Sequence, residues 1–373
     1  MAHTILHLRS EDKPQEHRSA LTPTTAKALI DAGYTVNVEK SPVRIFDDAE
    51  FEKIGATLVP TGSWRDVPAD HIIVGLKELP EEAFPLKHVH VSFAHCFKNQ
   101  GGWETVLARF PRGGGTLLDL EFLNDPVSGR RVAAFGYSAG FSGSALALKN
   151  WAWQLTHPGE PLPSVESYPN EDTLVDDIKK ELAEGQKKAG RLPRVIVIGA
   201  LGRCGRGAVD MALKAGVPEN QILKWDMAET AAGGPFKEIV ESDIFINCIY
   251  LTSKIQPFVD VDSLKTPGRQ LSVVCDVSAD TTNPNNPVPI YTIATTFKKP
   301  TVPVDGLEGA PLSVISIDHL PSLLPRESSE AFSGDLLPYL LKLNDWQNDP
   351  VWAGAKKLFD EKVATLPKEA LNP

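Results

Sequence analysis

The chain has 373 residues, 42% of them hydrophobic, which is enough to fill more than one core and to divide into two domains. Its 38 basic and 48 acidic residues leave a formal charge of -10 with no basic block, which argues against nucleic acid or an anionic membrane as partner. There is no apolar run of about 18 residues and no secretory leader, and four scattered cysteines fit neither a disulfide framework nor metal-ligand spacing, so a soluble intracellular chain without a metal is expected.

The first half alternates strands and helices. TILHLRS reads as a strand; after a polar stretch, Thr22 caps a helix that opens at Pro23 and stops near Gly33. YTVNVEK is a second strand, DAEFEKIG a short helix and ATLVP a third strand, and DHIIVGLKEL and VHVSFAHC are two more. WETVLARF is helical and TLLDLEFL strand-like; a crossing segment then leads into a long helix rich in small residues, GYSAGFSGSALALKNWAWQLTH, and a charged amphipathic helix follows as a spacer.

The second half starts abruptly at RVIVIGALGRCGRGAVDMALKAGVPENQILKWD. An aliphatic strand, a glycine-rich turn, a helix stopped near Gly216 and a second strand ending at Asp226 form the pattern that binds a dinucleotide. Gly199, Gly202 and Gly205 depart from strict GxGxxG, because Ala200 takes the first slot, but the acid 21 residues beyond Gly205 restores the signature. The turn offers free helix-start amides to a pyrophosphate, and Asp226 suits ribose hydroxyls while repelling a 2'-phosphate, so NAD is favoured over NADP. Arg203 faces the pyrophosphate or solvent. ESDIFINCIY and QLSVVCDVSAD read as the fourth and fifth strands of this fold, with Tyr250 and Val277 in their end loops on the nicotinamide side, and Asp318 and His319 end a further strand. Cys204, in the turn, and Cys248, at the end of an adjacent strand, are placed for contact, either as a redox pair or as two ordinary thiols.

Outside that unit, chemically useful residues fall at strand ends, where open parallel sheets place ligands. Arg18 precedes the first helix, Lys77 and Glu78 end one strand, His95 ends another, and Arg130 and Arg131 follow a glycine. Surface ion pairs explain several of these equally well, but Glu121, read as lying in an apolar strand, needs a cationic partner. The fold class expected is α/β, two Rossmann-like domains with mainly parallel sheets and an active-site cleft between them: residues 1–132 with 326–373 on the substrate side, and 133–325 binding the dinucleotide.

HLRSEDKPQEHRSALTP, IIVGLKELP, VSFAHCFKNQGGW, LLDLEFLNDPVSGRRVAAFG, VIGALGRCGRGA, DVSADTTNPNNPVPIY and SVISIDHLPSLLPRE together resemble the fungal, lysine-forming saccharopine dehydrogenases, over almost the whole chain. The opening motif is also similar to alanine dehydrogenases and nicotinamide nucleotide transhydrogenases. The resemblance implies NAD-dependent cleavage of saccharopine with water to L-lysine, 2-oxoglutarate and NADH, the last step of lysine biosynthesis through 2-aminoadipate. It implies Lys77 and His95 as the acid–base groups, Arg18, Glu78, Gln100, Glu121, Arg131 and Phe135 in the substrate site, and Gly199, Gly202, Arg203, Gly205, Asp226, Thr230, Tyr250, Val277, Ile317, Asp318, His319 and Leu320 around NAD. Thr230 departs from the family, where an arginine near the adenine can occur. The resemblance also implies a Cys204–Cys248 disulfide and a monomer; the C-terminal LNP lacks a peroxisomal tripeptide, which favours the cytoplasm. Two rival readings are an alanine-dehydrogenase-like enzyme acting on a small amino acid and ammonia, and a nonenzymatic NAD sensor that needs neither Lys77 nor His95.

Overall fold

The computed structural model describes residues 4–80, 82–99, 101–281 and 283–371. Two compact units emerge: residues 1–134 with 325–373, and residues 135–324. The chain therefore passes between units at Ala134–Phe135 and Leu324–Pro325, rather than after residues 132 and 325.

Unit 1 begins with β1 (Ile5–Leu8), α1 (Pro23–Asp31), β2 (Thr35–Glu39), α2 (Asp48–Lys53), β3 (Thr57–Val59), β4 (Ile72–Val74), β5 (Val89–Ser92), α3 (Trp103–Gly113) and β6 (Thr116–Asp119). Its sheet is wholly parallel in the order β3-β2-β1-β4-β5-β6, so the strand order reverses at β1. In such sheets the crevice beyond the strand ends at the reversal is where ligands bind. The Thr22 side chain accepts from the Thr25 amide and Pro23 is the first helical residue of α1, which settles two of the helix-start amides without water.

Unit 2 contains α4 (Gly136–Thr156), α5 (Glu171–Ala189), β7 (Val195–Ile198), α6 (Arg203–Lys214), β8 (Ile222–Trp225), α7 (Met227–Thr230), α8 (Lys237–Val240), β9 (Ile244–Asn247), α9 (Val261–Leu264), β10 (Val273–Asp276), β11 (Val302–Pro303) and β12 (Ser313–Ile315). The order is β11-β12-β10-β9-β7-β8, parallel except for β11, with the reversal at β7. The strands of ESDIFINCIY and QLSVVCDVSAD are thus third and fourth in this unit, not fourth and fifth. β7, β9 and β10 are buried along their whole length, as continuous aliphatic runs in a two-faced parallel sheet should be.

The small residues of α4 let α6 approach closely. A Cβ on Gly140 would lie 1.8 Å from the Cys204 carbonyl oxygen, and one on Gly207 would lie 2.0 Å from that of Tyr137. The chain then returns to unit 1 as α10 (Pro325–Leu340), α11 (Pro350–Val363) and α12 (Lys368–Leu371). Phe359 and Leu366 join a core of Trp64, Ile73, Leu107, Phe110 and Leu117. Among the described residues no helix is long and apolar enough to cross a membrane, and no group of side chains could hold a metal ion.

Candidate active site

In unit 1 the polar stretch after β1 folds back over the end of β4. Glu11 accepts from the amides of Leu76 (2.7 Å) and Lys77 (2.9 Å), fixing the backbone on which Lys77 stands. Arg9 crosses the same point, bonding the Lys77 carbonyl, and a side chain at 75 would have to displace it, because a Cβ there would sit 2.3 Å from Arg9 Nε. Burial pushes the Glu11 carboxyl up, against the pull of Arg9 and the two amides. Lys77 thereby stands just beyond the end of β4, which pairs with β1 at the strand-order reversal of this sheet. The charge of Lys77 acts on Glu16, Glu78 and His95, which places the four in one electrostatic neighbourhood.

Arg18 is 4% exposed and forks onto Glu16, Nε to Oε1 and Nη2 to Oε2, both at 2.8 Å. Burial raises the Glu16 carboxyl, but the Arg18 pairing outweighs it and the net shift is downward. A buried bidentate pair of this kind holds a guanidinium in one orientation.

His95 stands between two carboxylates: its Nε2 is 3.6 Å from Glu78 Oε2 and its Nδ1 3.8 Å from Glu121 Oε2. Each acid is held on its outer side by a lysine, Glu78 by Lys13 and Glu121 by Lys98 (2.5 Å). Burial raises the Glu78 carboxyl, yet the Lys13 hydrogen bond and the charges of Lys77 and Lys13 bring it down to about 2. The imidazole keeps 41% of its surface open, and its pKa lies below the ordinary value: desolvation of its covered face and the charge of Lys77 lower it, and outweigh Glu78 and Glu121. His95 has φ +51°, a left-handed conformation that a side chain of its size seldom adopts.

The expected place of Glu121 needs correction. Glu121 is not in a strand; β6 ends at Asp119 and Glu121 lies in the 3-10 turn Leu120–Phe122, where it takes the surface cation Lys98 as partner. Phe135 belongs to unit 2, as expected from the 133–325 division, and is the N-cap of α4; Arg18, Lys77, Glu78, His95, Glu121 and Arg131 belong to unit 1. Arg131 pairs with Asn124 as an isolated bridge that closes the turn around residue 128. Gln100 lies outside the described residues. Lys13, Glu16, Glu11 and Lys98 were not singled out in the sequence; the first three lie in the dense alternation of acids and bases in RSEDKPQEHR beyond the first strand, and Lys98 follows His95 by three residues.

In unit 2 the glycine-rich turn follows β7. Gly199 has φ +90° and its amide, like that of Ala200, bonds the Trp225 carbonyl; a Cβ on Gly205 would meet the Gly199 oxygen at 2.1 Å. Gly202 is the N-cap of α6 and supplies no side-chain acceptor to its first-turn amides, an arrangement suited to an anion such as a pyrophosphate. β8 stops at Trp225, so Asp226 is not a strand residue; it caps α7, and its carboxylate accepts from Leu201 in the turn (3.1 Å) and from Met227 (2.9 Å). Thr230 Oγ1 donates to the Asp226 carbonyl. Tyr250 donates to Asp280, Val277 continues β10, and Ile317, Asp318, His319 and Leu320 follow β12, with His319 edge-on to Phe297. Cys204 and Cys248 are free thiols rather than a disulfide. They share a hydrogen bond, and that bond together with burial raises Cys248 well above the ordinary thiol range, keeping it protonated.

Two Rossmann-like units, one with a dinucleotide turn and one with a lysine, a histidine and paired acids at its strand ends, define a two-unit α/β dehydrogenase. Residues 7–142 match the family described as alanine dehydrogenase/PNT, N-terminal domain. The chain is 75% identical to saccharopine dehydrogenase (NAD(+), L-lysine-forming) of Neurospora crassa over all of both chains, and 65% identical to that of Emericella nidulans over 99% of this chain and 100% of the other. A solved L-alanine dehydrogenase superposes with TM-score 0.66 at 18% identity, covering 96% of this chain and 100% of its own, a likeness of fold. The chain belongs to the lysine-forming saccharopine dehydrogenase family.

Proposed function

We infer that this chain cleaves saccharopine with water and NAD to L-lysine, 2-oxoglutarate and NADH, the last step of lysine biosynthesis through 2-aminoadipate, acting as a cytosolic monomer. The full-length likeness to the fungal enzymes carries this reading, and the placement of His95 between Glu78 and Glu121 supports its chemistry.

Bound NAD would supply the acceptor for the hydride of the glutaryl Cα. Gly199, Gly202, Arg203 and Gly205 would hold its pyrophosphate, Asp226 and Thr230 its adenosine end, and Tyr250, Val277, Ile317, Asp318, His319 and Leu320 the remainder. Lys77, in its neutral form, removes the proton of the secondary amine as the imine forms. His95 takes a proton from water as its oxygen attacks the imine carbon, and Lys77 returns its proton to the nitrogen; His95 then protonates that nitrogen as the C–N bond breaks and the carbinolamine hydroxyl gives its proton to Lys77, releasing lysine and leaving the ketone of 2-oxoglutarate. The lowered pKa of His95 leaves it a proton acceptor at neutral pH. Arg18 and Arg131, with Gln100 and Phe135, hold the dicarboxylate end so that Cα–H is aimed correctly. Glu78 and Glu121 stabilise imidazolium as it develops.

The test is NADH consumption with L-lysine plus 2-oxoglutarate, beside pyruvate plus ammonium, for the native chain and for a Lys77→Met, His95→Gln double variant. Turnover should require both lysine and 2-oxoglutarate and collapse in the variant; turnover with pyruvate and ammonium alone would replace this reading with an alanine-dehydrogenase-like one. Light scattering of the eluting enzyme tests the monomer.

A further inference from the structure

Asp119 ends β6 in register with Ser92 at the end of β5, and it is 1% exposed. Its carboxyl makes two bonds that leave its own strand. Oδ1 accepts from the Glu121 amide at 2.8 Å, and Oδ2 accepts from the Ala94 amide at 3.3 Å. The first alone would be an ordinary cap on the turn Leu120–Phe122. A cap does not account for the second, which reaches the backbone immediately before His95.

Both segments so tied have left regular structure. His95 is in the left-handed region, which persists only where the surroundings fix it, and its Nδ1 is 3.8 Å from Glu121 Oε2, too far for a direct hydrogen bond to set the spacing. The separation of imidazole and carboxylate is therefore set by the two backbones, and the Asp119 side chain is bonded to both.

We propose that Asp119 is a positioning residue: its carboxyl ties the Ala94–His95 segment to the Glu121 turn and so fixes Glu121 against the imidazole. The residue's situation supports this. Its neighbours along the strand, Leu117 and Leu118, are apolar and buried, and burial pushes the Asp119 carboxyl up to about 7 against the two amides and Arg131, so an acid is retained where the environment disfavours its charge. The titratable groups that face it are Glu121, Arg131 and Cys96. The largest charges that act on His95 are those of Lys77, Glu78, Glu121 and Lys13, so a change in His95 titration on altering Asp119 reports chiefly a moved Glu121.

The inference rests on His95 as the acid–base group, and the experiment separates the two. In Asp119→Asn the side chain keeps one acceptor and turns a donor toward the other amide, so one tie is lost. With circular dichroism and NAD affinity unchanged, the His95 imidazole titration, followed by NMR with His95→Gln as assignment control, is expected to move to lower pH, and kcat for saccharopine to fall about tenfold or more, as misplacement by a fraction of an ångström does. A lower His95 midpoint with kcat unchanged supports the positioning role and overturns the acid–base reading of His95. A folded variant with the His95 midpoint unchanged overturns the positioning role. Should the variant not fold, the native enzyme decides: the backbone amide resonances of Ala94 and Glu121 are expected to shift together with one midpoint near 7, and independent or absent responses overturn the proposal.

Discussion

His95 is lowered by desolvation and Lys77 and raised by Glu78 and Glu121, and the lowering influences win. The neutral imidazole required for attack by water therefore persists below the ordinary 6.5, and kcat/KM for saccharopine should fall with acid through a midpoint under that value. Glu121→Gln removes a charge that favours imidazolium, so its midpoint should lie lower still. Glu78→Gln should act in the same direction, since Glu78, held at about 2, is an anion throughout this range. Three pH–rate profiles check this, and a midpoint displaced upward in either variant would mean that the carboxylates do not act on the group that titrates. At the other site, Asp226→Ala removes the acceptor for Leu201 and Met227 and the proposed partner of the ribose hydroxyls. NAD affinity should drop by about tenfold, roughly 1.4 kcal/mol, while affinity for NADP falls less or rises, read by quenching of protein fluorescence.

At the scale of elements, the approach of α4 to α6 decides how the dinucleotide turn is held. Gly140→Ala would drive a Cβ into the Cys204 carbonyl at 1.8 Å, in the first turn of α6, so the helices must separate. A loss of about 1–3 kcal/mol in urea unfolding is expected, together with weaker NAD binding, as for overpacking elsewhere. Gly334→Ala in α10, with nothing within 4 Å of its Cβ, should instead be neutral or stabilising by up to about 1 kcal/mol. Much of this architecture was legible in the sequence because local rules govern it: aliphatic runs such as VIVI make strands, Thr22 and Pro23 start a helix, and the glycine-rich turn carries its own acid downstream. Glu121 was misread because strand and turn share one apolar stretch, and only the cap from Asp119 shows where β6 stops. Asp119, Glu11 and Glu16 escaped notice because their partners are backbone amides or a salt bridge made by the fold, and nothing in a linear pattern marks which acid a distant amide will reach. The state of Cys204 and Cys248 depends likewise on side-chain geometry that spacing does not determine.

For the whole molecule, the discontinuous unit 1 carries the buried histidines, and acid should find it first. His90 lies fully buried on β5, edge-on to Trp64 and Phe110, and desolvation, followed by the charges of Arg9, His88 and Arg109, lowers its pKa well below 6.5. The folded ring stays neutral while the unfolded chain takes up a proton near the ordinary pKa, so the stability that His90 contributes is present above 6.5 and is lost as pH falls from there toward its folded pKa. Other groups in the unit pull oppositely: Asp119 and Glu11, raised by burial, add stability as pH falls, so the net slope does not isolate one residue. His90→Phe does, because it keeps a ring in the aromatic contact and deletes the titration. Relative to the native chain, the variant should gain about 1 kcal/mol between pH 7.5 and pH 5.5, since protonating the unfolded histidine over that span is worth roughly that much. Two compact units need not unfold together, so urea-dependent hydrogen exchange should be read separately for β5 in unit 1 and β9 in unit 2. A gain at pH 5.5 confined to unit 1 is the expected result; equal stability differences at both pH values would mean that folded His90 accepts its proton as readily as the unfolded chain does.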